Sequence, residues 1–318
     1  MSSMLRTMAA ALLLGAAALL PAGPAQASTE WGANYFPNVP LTTQDGKVVH
    51  FYDDLLKGKA VAINLMYTHC NGSCPLETAR MVQVQKLLGD RVGKDLFFYS
   101  ISIEPERDTP EVMKKYAARY HIDPSTNWLF LTGKMEDIKL ISKKLGLSSL
   151  TDRANKDGHL PTLMIGNEPT GAWMRNSAVD NPRFLAVTIT NFLDGFKKAK
   201  PIVNNYADVR PETFHKPEYM FKSRCAACHT IGGGDAVGPD LKGLLTRRDR
   251  TWARRYMTEP DKMLAEHDPV AVSLFEKYRQ VRMPNLSLSP EDVEALLLLI
   301  DTPAGPAHAA GSITASAR

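Results

Sequence analysis

Apolar and polar positions along the chain follow two different regimes. From Trp31 to about Lys200, short apolar runs alternate with amphipathic stretches. Ala60–Met66 (AVAINLM) and Leu96–Ile103 (LFFYSISI) are almost continuously apolar, β-branched or aromatic, the pattern of strands covered on both faces. Pro75 opens PLETARMVQVQKLL and Pro110 opens PEVMKKYAARY. Proline suits the first helical position because the N–H it lacks has no partner there anyway. Asp108 or Thr109 is placed to cap the second of these helices. A third helix is predicted over Met135–Leu145 and is closed by Gly146. Thr162–Ile165 predicts another strand, Asn167–Gly171 a turn into Ala172–Arg175, and Pro182 to Lys198 a last helix. Strands alternating with helices predict an α/β layered sheet. Beyond Arg210 the pattern changes to helices and loops without a convincing strand.

Ahead of these elements, Arg6 precedes the apolar run Met8–Leu20, which Pro21, Pro24 and the triplet Ala25-Gln26-Ala27 follow. This is the layout of a secretory leader cut after Ala27. An uncleaved anchor is the alternative, but the run has about 13 residues where a bilayer needs ~20, so no stable membrane span is expected after cleavage. Export of a bacterial chain implies the periplasm, where disulfides and covalent haem attachment can both occur. The expected organisation is a signal peptide over 1–27, a first domain over 28–200, a polar linker over 201–210, a second domain over 211–303 and a flexible tail over 304–318.

Composition narrows the function classes. With 44% hydrophobic and 23% charged residues among 318, a wholly disordered chain is excluded. A formal charge of +4 is too weak to argue for nucleic acid. Four cysteines are too few for a disulfide scaffold of this length, so each needs its own explanation. The basic stretch Arg247, Arg248, Arg250, Arg254 and Arg255 is first a solvated helix face; docking an acidic partner or reaching haem propionates is the alternative.

Cys225-Ala-Ala-Cys228-His229 carries the most specific chemistry. C-x-x-C-H is the attachment signature of a c-type haem: two thiols at this spacing reach the vinyl groups of one porphyrin, and the adjacent imidazole is aimed at the iron. A zinc half-site or a redox C-x-x-C pair are the alternatives, but only His267 and His308 follow as further His or Cys ligands. This half resembles class I cytochrome c, through CAACH, Gly238-Pro239-Asp240-Leu241, Trp252, Pro260 with Met263, and Arg282-Met283-Pro284 before a terminal helix. The resemblance implies one covalent haem, an all-α fold, His229 as proximal ligand, Met283 as second axial ligand, and the Pro239 carbonyl as the acceptor orienting His229. The residues agree about Met283, which lies between Arg and Pro in a loop with no helical period to make it a core filler. Met257 and Met263 are expected to be core packing. A His/Met pair saturates the iron and raises its potential, which suits electron transfer.

The second signal is Cys70-Asn-Gly-Ser-Cys74-Pro75, where a buried strand gives way to a helix. Unpaired N–H groups and the dipole at a helix N-terminus are expected to favour Cys74 as a thiolate. A structural or idle disulfide is the alternative. The segment around it resembles the Sco/SenC family of thioredoxin-fold copper proteins that help assemble the binuclear copper site of cytochrome c oxidase. The matching residues are Tyr67-Thr68-His69-Cys70 with Cys74-Pro75, then Ser102-Ile103-Glu104-Pro105-Glu106-Arg107-Asp108-Thr109-Pro110, then Leu131-Thr132-Gly133. The resemblance implies one copper ion held by Cys70, Cys74 and a distant histidine. By position that is His159 in Asp157-Gly158-His159-Leu160-Pro161, with His69 as competitor. Two thiolates select Cu(I), and an imidazole lets the site tolerate Cu(II). Pro161 also resembles the thioredoxin loop proline, so a cis Leu160–Pro161 bond is expected.

An α/β thioredoxin-like domain followed by an all-α cytochrome c domain is therefore expected. The function it implies is a copper chaperone or assembly factor with haem-mediated one-electron transfer, rather than an enzyme. Partners would be a respiratory oxidase subunit or another cuproprotein, and a periplasmic redox partner. A thiol–disulfide oxidoreductase using Cys70 and Cys74, with Cys70 attacking, and a simple electron carrier are the alternatives. A two-haem peroxidase is disfavoured, because only one C-x-x-C-H is present.

Overall fold

The computed structural model describes residues 31–147, 161–194 and 215–302. The first part is built on one mixed sheet of seven strands: β1 (Pro40–Thr43), β2 (Val48–His50), β3 (Ala60–Met66), β4 (Leu96–Ser102), β5 (Leu129–Gly133), β6 (Thr162–Asn167) and β7 (Ala172–Ser177). Their order is β2-β1-β5-β4-β3-β6-β7. β3, β4 and β5 run parallel, and the outer strands pair antiparallel. All seven residues of β3 are buried, as the unbroken apolar run AVAINLM requires of a central strand covered on both faces.

Among the described residues, four α-helices accompany the sheet: α1 (Cys74–Leu88), α2 (Pro110–Arg119), α3 (Met135–Lys144) and α4 (Pro182–Leu193). Pro75 stands in the first turn of α1, and Pro110 and Pro182 open α2 and α4. Of the two expected caps of α2, Thr109 makes the bond: its Oγ1 accepts from the Val112 N–H at 3.4 Å. Gly146, with φ +69°, follows α3 as the left-handed stop. Glu168–Thr170 forms the turn before β7, and Gly171 completes it in the left-handed region. The expectation did not include the β1–β2 hairpin, the π-helical turn Phe51–Leu56 or β5.

The second part is helical: α5 (Lys216–Met220), α6 (Leu244–Arg247), α7 (Arg250–Thr258), α8 (Pro260–Ala265), α9 (Pro269–Lys277) and α10 (Pro290–Asp301). α5 continues through a wider π-helical turn, Phe221–Cys225, into the C-x-x-C-H segment. Met220, Ala253, Met257, Val293, Leu296 and Leu297 form its core, so Met257 is a packing residue; Met263 is buried as well. Ser289 caps α10, its Oγ accepting from the Asp292 N–H at 3.1 Å. An α/β part followed by a helical one is the order expected.

The two parts touch. Ala227 lies in the core cluster of the sheet part, and Cys228, Val237, Val281 and Leu286 pack against it. α1 is consequently buried along most of its length, between α4 on one side and the haem-signature segment on the other. The expected leader over 1–27, the linker over 201–210, the tail over 304–318, His159 and the Leu160–Pro161 bond all lie outside the described residues. Among the described residues, no helix is long and apolar enough to cross a membrane.

Candidate metal and haem sites

Cys70 and Cys74 stand where β3 ends and α1 begins, at the carboxyl edge of the parallel strands, where open α/β sheets place ligands. The turn just before Cys70 is braced by the Asp108 carboxyl, ahead of α2. The Asp108 carboxyl accepts from the Thr68 N–H at 3.1 Å, from Thr68 Oγ1 at 2.5 Å and from Ser102 Oγ at 2.5 Å. Asp108 thus serves as a buried brace, leaving the cap of α2 to Thr109.

Neither cysteine is in a disulfide, and both are buried, Cys70 at 2% and Cys74 at 0% exposure. Their chemistry differs from the expectation in one respect. The Cys70 thiol is drawn down to about 6, chiefly because the Cys74 S–H donates to it, with the backbone N–H groups of Cys74 and Gly72 and the Tyr67 side chain adding to the effect against burial. Burial pushes Cys74 well up, helped by the hydrogen bond it gives Cys70 and by the nearby Glu77 carboxyl. The thiolate is therefore favoured at Cys70, whose sulfur receives the Cys74 S–H and the N–H groups of Cys74 and Gly72, and not at Cys74, which sits inside the first turn.

His69, the competitor of His159, directs Nε2 at the Glu104 carboxylate at 2.8 Å. Among the described residues no three His, Cys, Asp or Glu side chains form a metal-binding group. Two of the three expected copper ligands are thus brought together, and the third, His159, lies outside the described residues.

The C-x-x-C-H segment builds a different environment. His229 is half-buried, and its Nδ1–H donates to the Pro239 carbonyl at 2.9 Å, the partner expected. Burial lowers its pKa, which keeps the ring neutral and leaves Nε2 as a lone-pair donor. Gly238 lies so close beneath this ring that a Cβ would meet His229 Cε1 at 2.8 Å. Two apolar cavities adjoin the segment, and Cys225, His229 and Met283 line both. Cys225 and Cys228 are unpaired, and burial pushes their thiols up to about 11 and about 12. Neutral, unactivated thiols beside an apolar space disfavour a redox pair, and the donor set fits a haem: two thiols, one oriented imidazole and a thioether.

Of the basic stretch, Arg250 and Arg254 hold Glu294, and Arg255 holds Glu266. Arg247 and Arg248 line the second cavity.

The contact between the sites was not foreseen. Leu76, two residues beyond Cys74, lines the first cavity together with Cys225, Cys228, His229 and Met283. Arg80, further along α1, donates through Nη2 to the Ser223 carbonyl at 2.8 Å and the Lys222 carbonyl at 3.3 Å. Gln83 Nε2 donates to the Ala226 carbonyl at 3.1 Å. The available signal was a helix whose polar residues Arg80, Gln83 and Gln85 interrupt its apolar positions without leaving one clean polar face.

Residues 32–162 match the SCO1/SenC family model, and residues 218–302 match the cytochrome c family model. An SCO1/SenC-like stretch is thus followed by a cytochrome c-like one. The SCO1 protein homolog of Bacillus subtilis is 40% identical over 90 residues, covering 28% of this chain and 45% of that protein. A SCO2-like protein of Rickettsia felis is 30% identical over 125 residues, 39% of this chain and 57% of that protein. The chain therefore spans about half the length of these curated relatives. The structure of Bradyrhizobium japonicum ScoI with copper bound shares 26% identity and a TM-score of 0.37, covering 48% of this chain and 96% of that one. The α/β part is the region that matches the SCO1/SenC model, and the helical part the region that matches the cytochrome c model.

Proposed function

We propose that the chain is a periplasmic copper-handling redox protein, delivering copper to a respiratory oxidase subunit or another cuproprotein. In this reading Cys70 and Cys74 hold one Cu(I), with His159 as third ligand, and the cytochrome c half carries one haem. The observation that carries it is the placement of Leu76, which belongs to the first turn of the Cys74 helix and also to the wall of the cavity beside His229 and Met283.

The chain's own residues have distinct tasks. Cys70, already favouring the thiolate, takes up the soft cation, and Cys74 gives up its proton as it closes on the same ion. Asp108 holds the turn that brings the two sulfurs together. Cys225 and Cys228 would hold the haem covalently, His229 and Met283 would ligate its iron, and the Pro239 carbonyl fixes which imidazole nitrogen faces it. A haem so held exchanges one electron at a time, matching the Cu(II)/Cu(I) couple, whereas a disulfide needs two.

The test is metal analysis of the reduced holoprotein. One copper per chain is expected, lost in Cys74→Ser; unchanged copper content in that variant would defeat the reading. The lowered pKa of Cys70 favours a second reading, a thiol–disulfide oxidoreductase with Cys70 attacking. Reductase turnover by the metal-free protein, undiminished in His159→Ala, would support that one instead.

A further inference from the structure

The loop between the two copper-site cysteines is hydrogen-bonded to the loop that carries Met283, on both sides of that methionine. The Asn285 N–H donates to the Asn71 carbonyl at 2.9 Å, and Arg282 Nη1 donates to Asn71 Oδ1 at 3.3 Å. Asn71 is the residue directly after Cys70. The approach to this contact is also held from the SCO1/SenC half. Arg279 and Gln280 are consecutive non-glycine residues with φ of 56° and 60°, a conformation that persists where the surroundings impose it. Gln280 Oε1 accepts from Arg119, and Arg279 donates to the Ala118 carbonyl, both at 3.4 Å.

The opposite wall of the haem cavity is anchored differently. The segment leading to His229 hangs on α1 through Arg80 and Gln83, in the body of a buried helix. His229 is thus referred to a rigid element, and Met283 to the three-residue loop Asn71–Ser73. When Cys70 and Cys74 close on a common ion, those three residues, Gly72 among them, take up the change.

We propose that Asn71 is a positioning residue for Met283, so that the state of the Cys70/Cys74 pair sets how firmly the methionine is held against the haem. This rests on the reading above, copper at the dithiol and Met283 as axial ligand. Copper entry draws Asn71 towards the sulfurs, loosens its hold on Arg282 and Asn285, and lowers the haem's affinity for an electron, because a thioether ligand is what raises it. By linkage, oxidation of the haem then tightens copper binding by the same factor.

The test compares the reduced holoprotein with and without Cu(I), and follows two quantities: backbone amide exchange at Asn285 and the haem midpoint potential. With copper, the Asn285 amide is expected to exchange roughly tenfold faster. The potential is expected to fall by ~59 mV, equivalent to copper binding about tenfold more tightly to the ferric protein. A merely Coulombic influence of the ion would move the potential and leave Asn285 exchange unchanged, which would overturn the proposal. In Asn285→Pro, which lacks the N–H that Asn71 accepts, the response of the potential to copper should disappear; if that variant does not fold, the wild-type comparison decides alone. One bound copper with Asn285 exchange altered less than about twofold and the potential moved by less than ~18 mV would overturn this inference and leave the proposed function standing. Failure to bind copper at all would remove the proposed function, and this inference with it.

Discussion

The chain carries two cysteine pairs at nearly the same spacing, and their surroundings give them opposite chemistry. Cys70 and Cys74 meet at a strand–helix junction where S–H and N–H groups converge on one sulfur and draw it down to about 6. Cys225 and Cys228 lie beside an apolar cavity in which burial drives both thiols up, to about 11 and about 12. Neither pair is joined as a disulfide. The number of intervening residues therefore says little about reactivity; what decides it is which polar groups face the sulfur.

The comparison can be broken most completely at the second pair. Replacing both Cys225 and Cys228 by serine should abolish covalent haem, read as loss of haem absorbance from the denatured chain, while copper binding at the first pair persists. Haem that stays attached to the denatured variant would contradict the assignment.

A pH profile sharpens the contrast. In copper-free reduced protein, alkylation of Cys70 should rise through a midpoint near 6, well below the ordinary thiol value of 9.0. Because its pKa is lowered, the reactive thiolate is present above that midpoint and lost as pH falls through it. Cys225 and Cys228 of haem-free protein should show no such plateau until the pH approaches about 11. Coincident profiles would mean that the two environments do not differ as described.

The scaffolds of the two sites give smaller effects. Asp108→Ala leaves the Thr68 N–H and the Thr68 and Ser102 hydroxyls without their common acceptor. It should destabilise the fold by about 3 kcal/mol in chemical denaturation, and copper retention should weaken with it. Gly238→Ala pushes a methyl group at the His229 ring. The expected cost is about 1–2 kcal/mol, together with an altered haem spectrum. A silent Gly238→Ala would show that the ring has room the geometry denies it.

The sequence made the scaffold of the first site legible because its punctuation is chemical. Pro75, Pro110 and Gly146 mark helix ends through constraints that depend on nothing distant, and the all-apolar β3 declares its burial directly. The hairpin β1–β2 escaped because PLTT and VVH are too short to establish a period. Cys225, Cys228, His229 and Met283 were legible as a set, and the structure brings Cys225, His229 and Met283 to both cavities. The thiolate was assigned to the wrong member of the first pair, since a position at a helix N-terminus does not say whose sulfur the N–H groups point at. The joint between the halves was invisible for another reason. Arg80 and Ser223, or Asn71 and Asn285, are separated by more of the chain than any local pattern spans.

The most direct measurement is rapid mixing of protein carrying Cu(I) at the dithiol and ferrous haem with less than one equivalent of a one-electron oxidant. The haem should be oxidised first and then recover as an electron arrives from the copper site, at a rate independent of protein concentration. A recovery rate that grows in proportion to concentration, or no recovery while copper stays bound, would contradict the joining of the two sites within one molecule.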